Sequence, residues 1–229
     1  MICKKYKCIF VHIPKTAGQS IEYFFLKLAN LTWETRAPLL LRYNPDPLLG
    51  PESLAHLTAS EYIDCGHITP NVFNSYYKFS FVRNPWDRLV SEYKYREHSK
   101  NYSFKKFLFK HLPEPGPSDD YRHIIPQYDF LFDPNGNQLV DFIGKFEKLQ
   151  EDFDIVCQIL GIKESKLLHI NQSKLSSHRF IYYKKLFSLL NRNISNKKNY
   201  TDFYDNDSLE FVSRMYEKDI KTFAYTFGD

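Results

Sequence analysis

Twice in this chain a short apolar segment runs through a proline-punctuated turn into an amphipathic helix, and that repeated order constrains the fold more than any other feature. In the first instance KCIFVHI, residues 7–13, combines β-branched and aromatic residues and is stopped by Pro14, which predicts a buried strand. The helix that follows is predicted from Ser20. There SIEYFFLKLANL sets Ile21, Phe24, Phe25 and Leu28 at helical spacing, and Ser20 is available as a cap for free backbone N–H groups. In the second instance KFSFVRN, residues 78–84, predicts a strand and PWDRLVSEYKYREH, residues 85–98, a helix, with Pro85 suited to a first helical turn. Two such units imply a parallel sheet, since a strand can run in the same direction as its predecessor only after a crossover. The predicted class is α/β.

Between the units, residues 36–60 hold Pro38, Pro45, Pro47, Gly50 and Pro51, which predicts an irregular excursion before a short helix near Thr58 to Tyr62. That excursion is a good place for contacts with an acceptor substrate. LPEPGPSDD, inside the mixed stretch 99–135, argues against continuous regular structure. A third unit is predicted with LVDFIGKF, residues 139–146, as strand. Its helix runs from Glu147, with Leu149, Phe153, Val156 and Leu160 on one face and an end at Gly161. The last helix is predicted after Asp207, with Glu210 three residues on and a stripe of Leu209, Val212, Tyr216 and Phe223. With no repeat and no linker, the 229 residues read as one domain, 1–229, against a prior of roughly 150 residues per domain.

Composition narrows the partners. Hydrophobic residues at 43% and aromatic residues at 17% supply a core, and 25% charged residues is ordinary for a globular protein, which excludes disorder as the main state. The net charge of +4 is too mild to call for nucleic acid. No run reaches the roughly 18 apolar residues of a membrane span, and Met1 to Lys7 lack the apolar stretch of a signal peptide, so a soluble, cytoplasmic protein is expected. Cys3, Cys8, Cys65 and Cys157 lack CxxC spacing and read as idle thiols. Charge is segregated late in the chain: residues 163–198 hold nine Lys or Arg and one acid, residues 199–229 seven acids and three bases. A solvated face is the default reading of such a run, an anion-binding lobe the sharper one.

The chemistry starts at HIPKTAGQS, residues 12–20, which joins a strand end to a helix start. Such a junction offers unpaired N–H groups and the positive end of a helix dipole to an anion. Gly18 lets backbone come close, Thr16 and Ser20 can donate from their hydroxyls, and Lys15 supplies charge. This is not a Walker A loop, because Lys15 precedes Gly18 by three residues instead of following a glycine directly. The loop resembles that of the sulfotransferases that use 3′-phosphoadenosine 5′-phosphosulfate (PAPS). The resemblance implies that Lys15, Thr16, Ala17, Gly18, Gln19 and Ser20 bind the 5′-phosphosulfate, and that Lys15 also acts in catalysis by neutralising charge on the departing oxygen.

A second motif supports the first. VRNPWDRLVSEY puts Arg83 at the carboxyl end of a strand, where ligands of open α/β sheets collect, and Ser91 on the helix beyond. An arginine fork beside a hydroxyl suits a terminal phosphate. The stretch agrees with the family's RxPxxRLxSxY pattern at every fixed position, which assigns Arg83 and Ser91 to the 3′-phosphate; Arg88 reads as a packing or surface arginine. DFIGKFEKLQEDF, residues 141–153, and RMYEKDIKTFAYTF, residues 214–227, resemble the family's later helices more weakly. The fold this implies is a three-layer one, a parallel sheet flanked by helices, of the P-loop NTPase-like sulfotransferase type.

Sulfuryl transfer to a hydroxyl needs a base, and no metal is required. Histidine suits neutral pH, which brings His12, His56 and His67 into comparison. His67 lies in DCGHITP just before the second unit, and heparan and uronyl 2-O-sulfotransferases carry a HisGlyHis segment there with the second histidine as base. His67 is therefore the expected base, with Cys65 in the place of the first histidine. His56 is the runner-up, His12 reads as structural, and Glu61 or Glu92 are carboxylate alternatives. Lys197 and Lys198, ahead of the final helix, fall in a loop that in similar enzymes closes over the cofactor. The expected reaction converts PAPS to the bisphosphate PAP while sulfating a carbohydrate or small-molecule hydroxyl. The alternatives are a P-loop phosphotransferase, for which Thr16 after Lys15 would be the magnesium ligand, and a silent nucleotide-binding protein.

Overall fold

A computed structural model describes residues 1–116, 118–168 and 199–229. Its strands β1 (Ile2–Cys3), β2 (Cys8–Val11), β3 (Tyr77–Val82) and β4 (Phe142–Lys145) form one sheet in the order β1-β2-β3-β4. Strands β2, β3 and β4 are parallel, with Phe10 opposite Phe79 and Phe79 opposite Phe142. The edge strand β1 departs from the all-parallel expectation. It pairs antiparallel with β2 because only residues 4–7 separate them, too short a link for a crossover.

Among the described residues the helices are α1 (Gly18–Leu28), α2 (Glu61–Asp64), α3 (Pro70–Ser75), α4 (Pro85–Tyr95), α5 (Phe104–Lys110), α6 (Asp119–Arg122), α7 (Tyr128–Leu131), α8 (Leu149–Ile159), α9 (Asn206–Met215) and α10 (Glu217–Phe223). Strand side chains alternate between two buried clusters, as the pleat requires. Phe10, Phe79 and Phe81 pack with Phe24 and Phe25 of α1 and with Phe153 and Val156 of α8. Ile9, Val11 and Val82 pack with Trp86, Leu89 and Val90 of α4, with Phe104 of α5 and with Val212 of α9. Each such buried side chain contributes about 1.5–3 kcal/mol relative to exposure, so α1 and α4 are anchored firmly where the site begins.

Local departures from expectation have identifiable causes. The final helix starts two residues early, because the Asp205 side chain accepts the Ser208 N–H at 2.9 Å and caps it. It breaks at Tyr216, whose hydroxyl donates to the Ile124 carbonyl at 2.6 Å. The proline-rich excursion becomes three 3₁₀ turns, at Ala37–Leu39, Pro47–Leu49 and Leu54–His56. Among the described residues no helix is long and apolar enough to cross a membrane.

Candidate active site

The first junction is strained and unsatisfied. Between β2 and α1 the backbone of Lys15 (φ 72°) and Ala17 (φ 66°, ψ 19°) is left-handed, a conformation that costs a non-glycine residue about 1–2 kcal/mol. Ala17 is the N-cap of α1, with no side-chain cap and no acidic residue in the first turn, so the helix presents free N–H groups and its positive dipole end. Ser20, the expected cap, lies inside the helix with its N–H on the Ala17 carbonyl at 3.0 Å. A Cβ on Gly18 would come within 2.0 Å of the His12 ring, so this glycine makes room for an imidazole. The Lys15 Nζ lies 3.6 Å from the centre of the Tyr95 ring, and burial pulls its ammonium down to about 8, with the Glu92 charge opposing.

The second junction is satisfied within itself. Asn84 caps α4, its side chain accepting from the N–H groups of Trp86 (3.1 Å) and Asp87 (3.4 Å). The Arg83 backbone is pinned by Gln127, whose Oε1 accepts its N–H and whose Nε2 donates to its carbonyl, each at 2.8 Å. Its guanidinium stacks 4.1 Å from the Phe146 ring centre, gives Asp87 two hydrogen bonds at 2.9 and 2.7 Å, and donates from Nη1 to the Lys15 carbonyl at 3.0 Å. The two junctions are thus in direct contact. Lys15, Ala17, Gly18, Gln19, Ser20, Arg83 and Ser91 all line one cleft of about 400 Å³, within the range of roughly 300–1,000 Å³ usual for small-molecule sites.

A ladder of imidazoles crosses the floor of that cleft. His12 Nδ1 lies 2.6 Å from Glu22 Oε1 of α1, and the His12 ring meets the His56 ring edge-on at 5.0 Å. Burial works against the Glu22 carboxylate, yet His12 holds it below its ordinary value. His56 Nδ1 lies 2.6 Å from Asp119 Oδ1 of α6, and its ring stands 5.1 Å from that of His123. His123 Nδ1 pairs with Glu92 Oε2 at 2.7 Å, and its Nε2 lies 3.4 Å from Asp119 Oδ2. Burial pulls His56 down to about 4, with His12 and His123 adding to the effect and Asp119 opposing it. Burial also acts to lower His123, but Asp119 and Glu92 outweigh it and raise its pKa. Among the described residues, His56, Asp119 and His123 are the group that could hold a metal ion, with ligand-type atoms within 4.8 Å of one another. Of these, His56 and Asp119 stand at a hydrogen-bonding separation of 2.6 Å.

A second chamber of about 370 Å³ adjoins the cleft and shares His12, Gln19, His56 and Asp119 with it. Its far side carries Trp33 together with Arg36, Arg42, Tyr43 and Glu52, the last four from the excursion at 36–60 marked for acceptor contacts.

Comparison with known proteins decides the class. The pattern of the family described as "Sulfotransferase family" matches residues 1–226. The chain belongs to the sulfotransferase family. It is accordingly an enzyme of sulfuryl transfer, and membership implies PAPS as the donor. It is 34% identical over 115 residues to an uncharacterized protein of Archaeoglobus fulgidus, a match covering 48% of this chain and 88% of the other. It is 22% identical over 250 residues to carbohydrate sulfotransferase 11 of Mus musculus, covering 95% of this chain and 63% of the mouse protein. No solved structure matches the chain significantly.

Not every residue expected in this sulfotransferase's site reaches the cleft. His67 is not on its wall: after Gly66 (φ 73°) the chain turns so that His67 Nε2 lies 2.7 Å from the Leu49 carbonyl. Thr16 is fully buried and does not line the cleft, and its hydroxyl donates to the Ile13 carbonyl at 2.9 Å, closing the loop on itself. Lys197 and Lys198 lie outside the described residues. Arg88 is a buried tie, donating to the carbonyls of Pro14 (3.1 Å), Ile125 (2.9 Å) and His123 (2.9 Å). The carboxylates weighed as bases are engaged, Glu61 with Arg122 at 2.5 Å and Glu92 with His123 and Arg96. Sequence reading missed Asp119 and His123, and it weighed His12 and read it as structural. The signal for His12 was period-two alternation, which puts it on the face of Phe10, against α1 and Glu22.

Proposed function

We propose that this sulfotransferase moves a sulfuryl group from PAPS to a hydroxyl of a carbohydrate or glycoconjugate, with His56 as the base. One observation carries the reading: His56 stands in the wall shared by the cleft that holds both anion-binding junctions and the adjoining chamber. A donor in the first and an acceptor in the second meet at its ring. The fit to an anionic donor rests on the uncapped α1 N-terminus and on Lys15, which makes no ion pair among the described residues although its charge is largely removed from water. Bound there, PAPS supplies the sulfuryl group and the phosphate that departs.

The chain's own groups then divide the work. Lys15 with the Ala17 to Ser20 segment holds the 5′ end, and the Lys15 ammonium offsets charge developing on the departing oxygen. Arg83 and Ser91 hold the 3′-phosphate. His56, neutral because burial lowers it, takes the acceptor proton at Nε2 while Nδ1 stays on Asp119. Among the described residues His56 Nε2 has no hydrogen-bond partner, whereas His67 Nε2 is taken by a backbone carbonyl, which favours His56 over His67. The exposed Tyr43 ring beside Arg36, Arg42 and Glu52 suits the mixed polar and apolar surface of a sugar ring, while Trp33, stacked on Tyr23 and beneath the Arg36 guanidinium, backs that wall. The relative named carbohydrate sulfotransferase points the same way.

The test incubates the protein with labelled PAPS and a panel of sugars in the presence of a chelator. Transfer is expected to persist, His56→Ala to lower turnover by about 10²- to 10⁴-fold with PAP affinity held, and His67→Ala to leave turnover near parental. Parental turnover in His56→Ala sinks the assignment of the base.

A further inference from the structure

The base proposed above does not stand alone, and the inference here rests on that reading. We propose that Asp119 and His123 are positioning residues: His123, clamped between Glu92 and Asp119, fixes Asp119, and Asp119 fixes the His56 ring in the tautomer that keeps Nε2 free for the acceptor proton.

The geometry is specific to that role. A neutral imidazole carries one N–H, and the nitrogen that bears it is set by the partner of that nitrogen. Asp119 Oδ1 at 2.6 Å from His56 Nδ1 places the proton there. Asp119 divides its two oxygens between two imidazoles, Oδ1 to His56 and Oδ2 to His123 at 3.4 Å. His123 is 6% exposed and cannot rotate away, because its Nδ1 is held by Glu92 at 2.7 Å and its backbone carbonyl by Arg88 at 2.9 Å. Glu92 in turn takes Arg96 Nε at 3.0 Å, and Arg96 Nη2 reaches Asp120 at 2.7 Å and Asp119 at 3.8 Å. Asp119 is also held from its backbone, whose N–H lies 3.4 Å from Glu52 Oε2.

The charged and titratable groups around His56 come from every side of the site. His12 directly follows β2 with Glu22 of α1 behind it, while Asp119 and His123 come from α6 and the residue that follows it. Arg96 stands beyond α4, and Arg36, Arg42, Glu52 and Lys15 line the two chambers. Two of these act on His56 in opposite directions at close range. The Asp119 carboxylate favours a proton on His56, and a protonated His123 disfavours it. When His56 takes the acceptor proton at Nε2, its Nδ1–H stays with Asp119 and the new positive charge faces an anion already in place. No proton needs to cross to Asp119.

The test has two arms. In the first, side-chain ¹⁵N spectra of the intact protein without substrate are followed from pH 5 to 8. His56 is expected neutral with its proton on Nδ1, and His123 protonated up to neutral pH. A proton on His56 Nε2, or a His123 already neutral at pH 6, overturns the proposal whatever the enzyme transfers. In the second arm, Asp119→Asn is expected to lose about 100-fold or more in kcat, since an amide can turn the imidazole to the wrong tautomer, with PAP affinity held within threefold as the check on folding. The acid limb of kcat/KM moves to lower pH in Asp119→Asn and to higher pH in His123→Gln. Limbs that stay in place, or move together, reduce both residues to scaffolding and overturn the proposal. Absence of sulfuryl transfer in the parent protein removes the function proposed above but leaves the first arm to decide the relay.

Discussion

The two strand-to-helix junctions that meet across the cleft are built on opposite terms. Around Lys15 the backbone is left-handed at two non-glycine residues, the helix N-terminus is uncapped, and a half-buried lysine has no ion-pair partner among the described residues. Around Arg83 the helix is capped by Asn84, Pro85 opens the first turn, the backbone is bracketed by Gln127, and the guanidinium is already on Asp87. The first junction therefore has donors and charge that only an anion completes. The second is complete beforehand and offers a ligand a prearranged edge. An anion gains most where the protein has left most unmet, so differential binding of the reacting end belongs to the Lys15 loop and placement of the cofactor to the Arg83 turn.

Paired truncations can break this comparison, and they carry the largest expected effects. Lys15→Ala is expected to lower kcat/KM by about 10²- to 10³-fold, the usual cost of removing one donor aimed at developing charge. The same change is expected to leave the unliganded protein as stable as the parent or more so, because it removes a cation held largely out of water. Arg83→Ala should act the other way round. It weakens PAP by roughly tenfold, costs stability of about 1–3 kcal/mol by leaving Asp87 and the Lys15 carbonyl without their partner, and moves kcat less than Lys15→Ala. Calorimetric PAP titration and thermal melts of both variants decide it. Equal melting shifts in the two would mean that the junctions are built alike.

What could be read from the sequence follows the same division. Both junctions are local: strand, loop, cap and helix lie within about twenty residues, so the periodicity of Ile21, Phe24 and Phe25 and the cap-like Asn84-Pro85 step carry them. The antiparallel β1 escaped because Ile2 and Cys3 form a two-residue strand, too short for any pattern to register. The histidine ladder escaped for a different reason. His56 meets Asp119 across 63 residues and His123 meets Glu92 across 31, so no spacing along the chain reveals either pair. His67 drew the eye through a local Cys-Gly-His likeness, and the backbone turn at Gly66 then carries it to Leu49. His56 sits between buried Leu54 and Leu57, which marks a polar residue carried inward, but only the fold says toward what.

Lysine and arginine differ in titration, and pH sharpens the contrast. In the free protein burial brings Lys15 to about 8. Below that pH the ammonium is present before an anion arrives. Above it the free protein loses the proton and binding must restore it, so PAP affinity should fall by up to tenfold per pH unit above pH 8, with one proton taken up on binding. Titrations in buffers of different ionisation enthalpy count the proton, and Lys15→Arg is expected to flatten the slope. A slope that survives in Lys15→Arg assigns it to another group and removes the argument from burial.

The smallest effect probes the strain itself. Ala17 at φ 66° occupies a region that glycine enters freely, so Ala17→Gly relieves about 1–2 kcal/mol of backbone cost and gives back roughly half of it as chain entropy in the unfolded state. The net expectation is a gain of about 0.5–1 kcal/mol in stability. No comparable gain is available at the Arg83 turn, where Asn84 (φ −45°, ψ 117°) is unstrained and its side chain is the cap. There Asn84→Gly removes two accepted N–H bonds and should destabilise. The loosened Ala17→Gly loop has more conformations to give up when it closes on the phosphosulfate, so its PAP affinity should drop by two- to threefold even as its melting temperature rises. If stability and affinity rise together, the left-handed backbone at residue 17 is a folding accident, and the unmet N–H groups of α1 account for the junction without it.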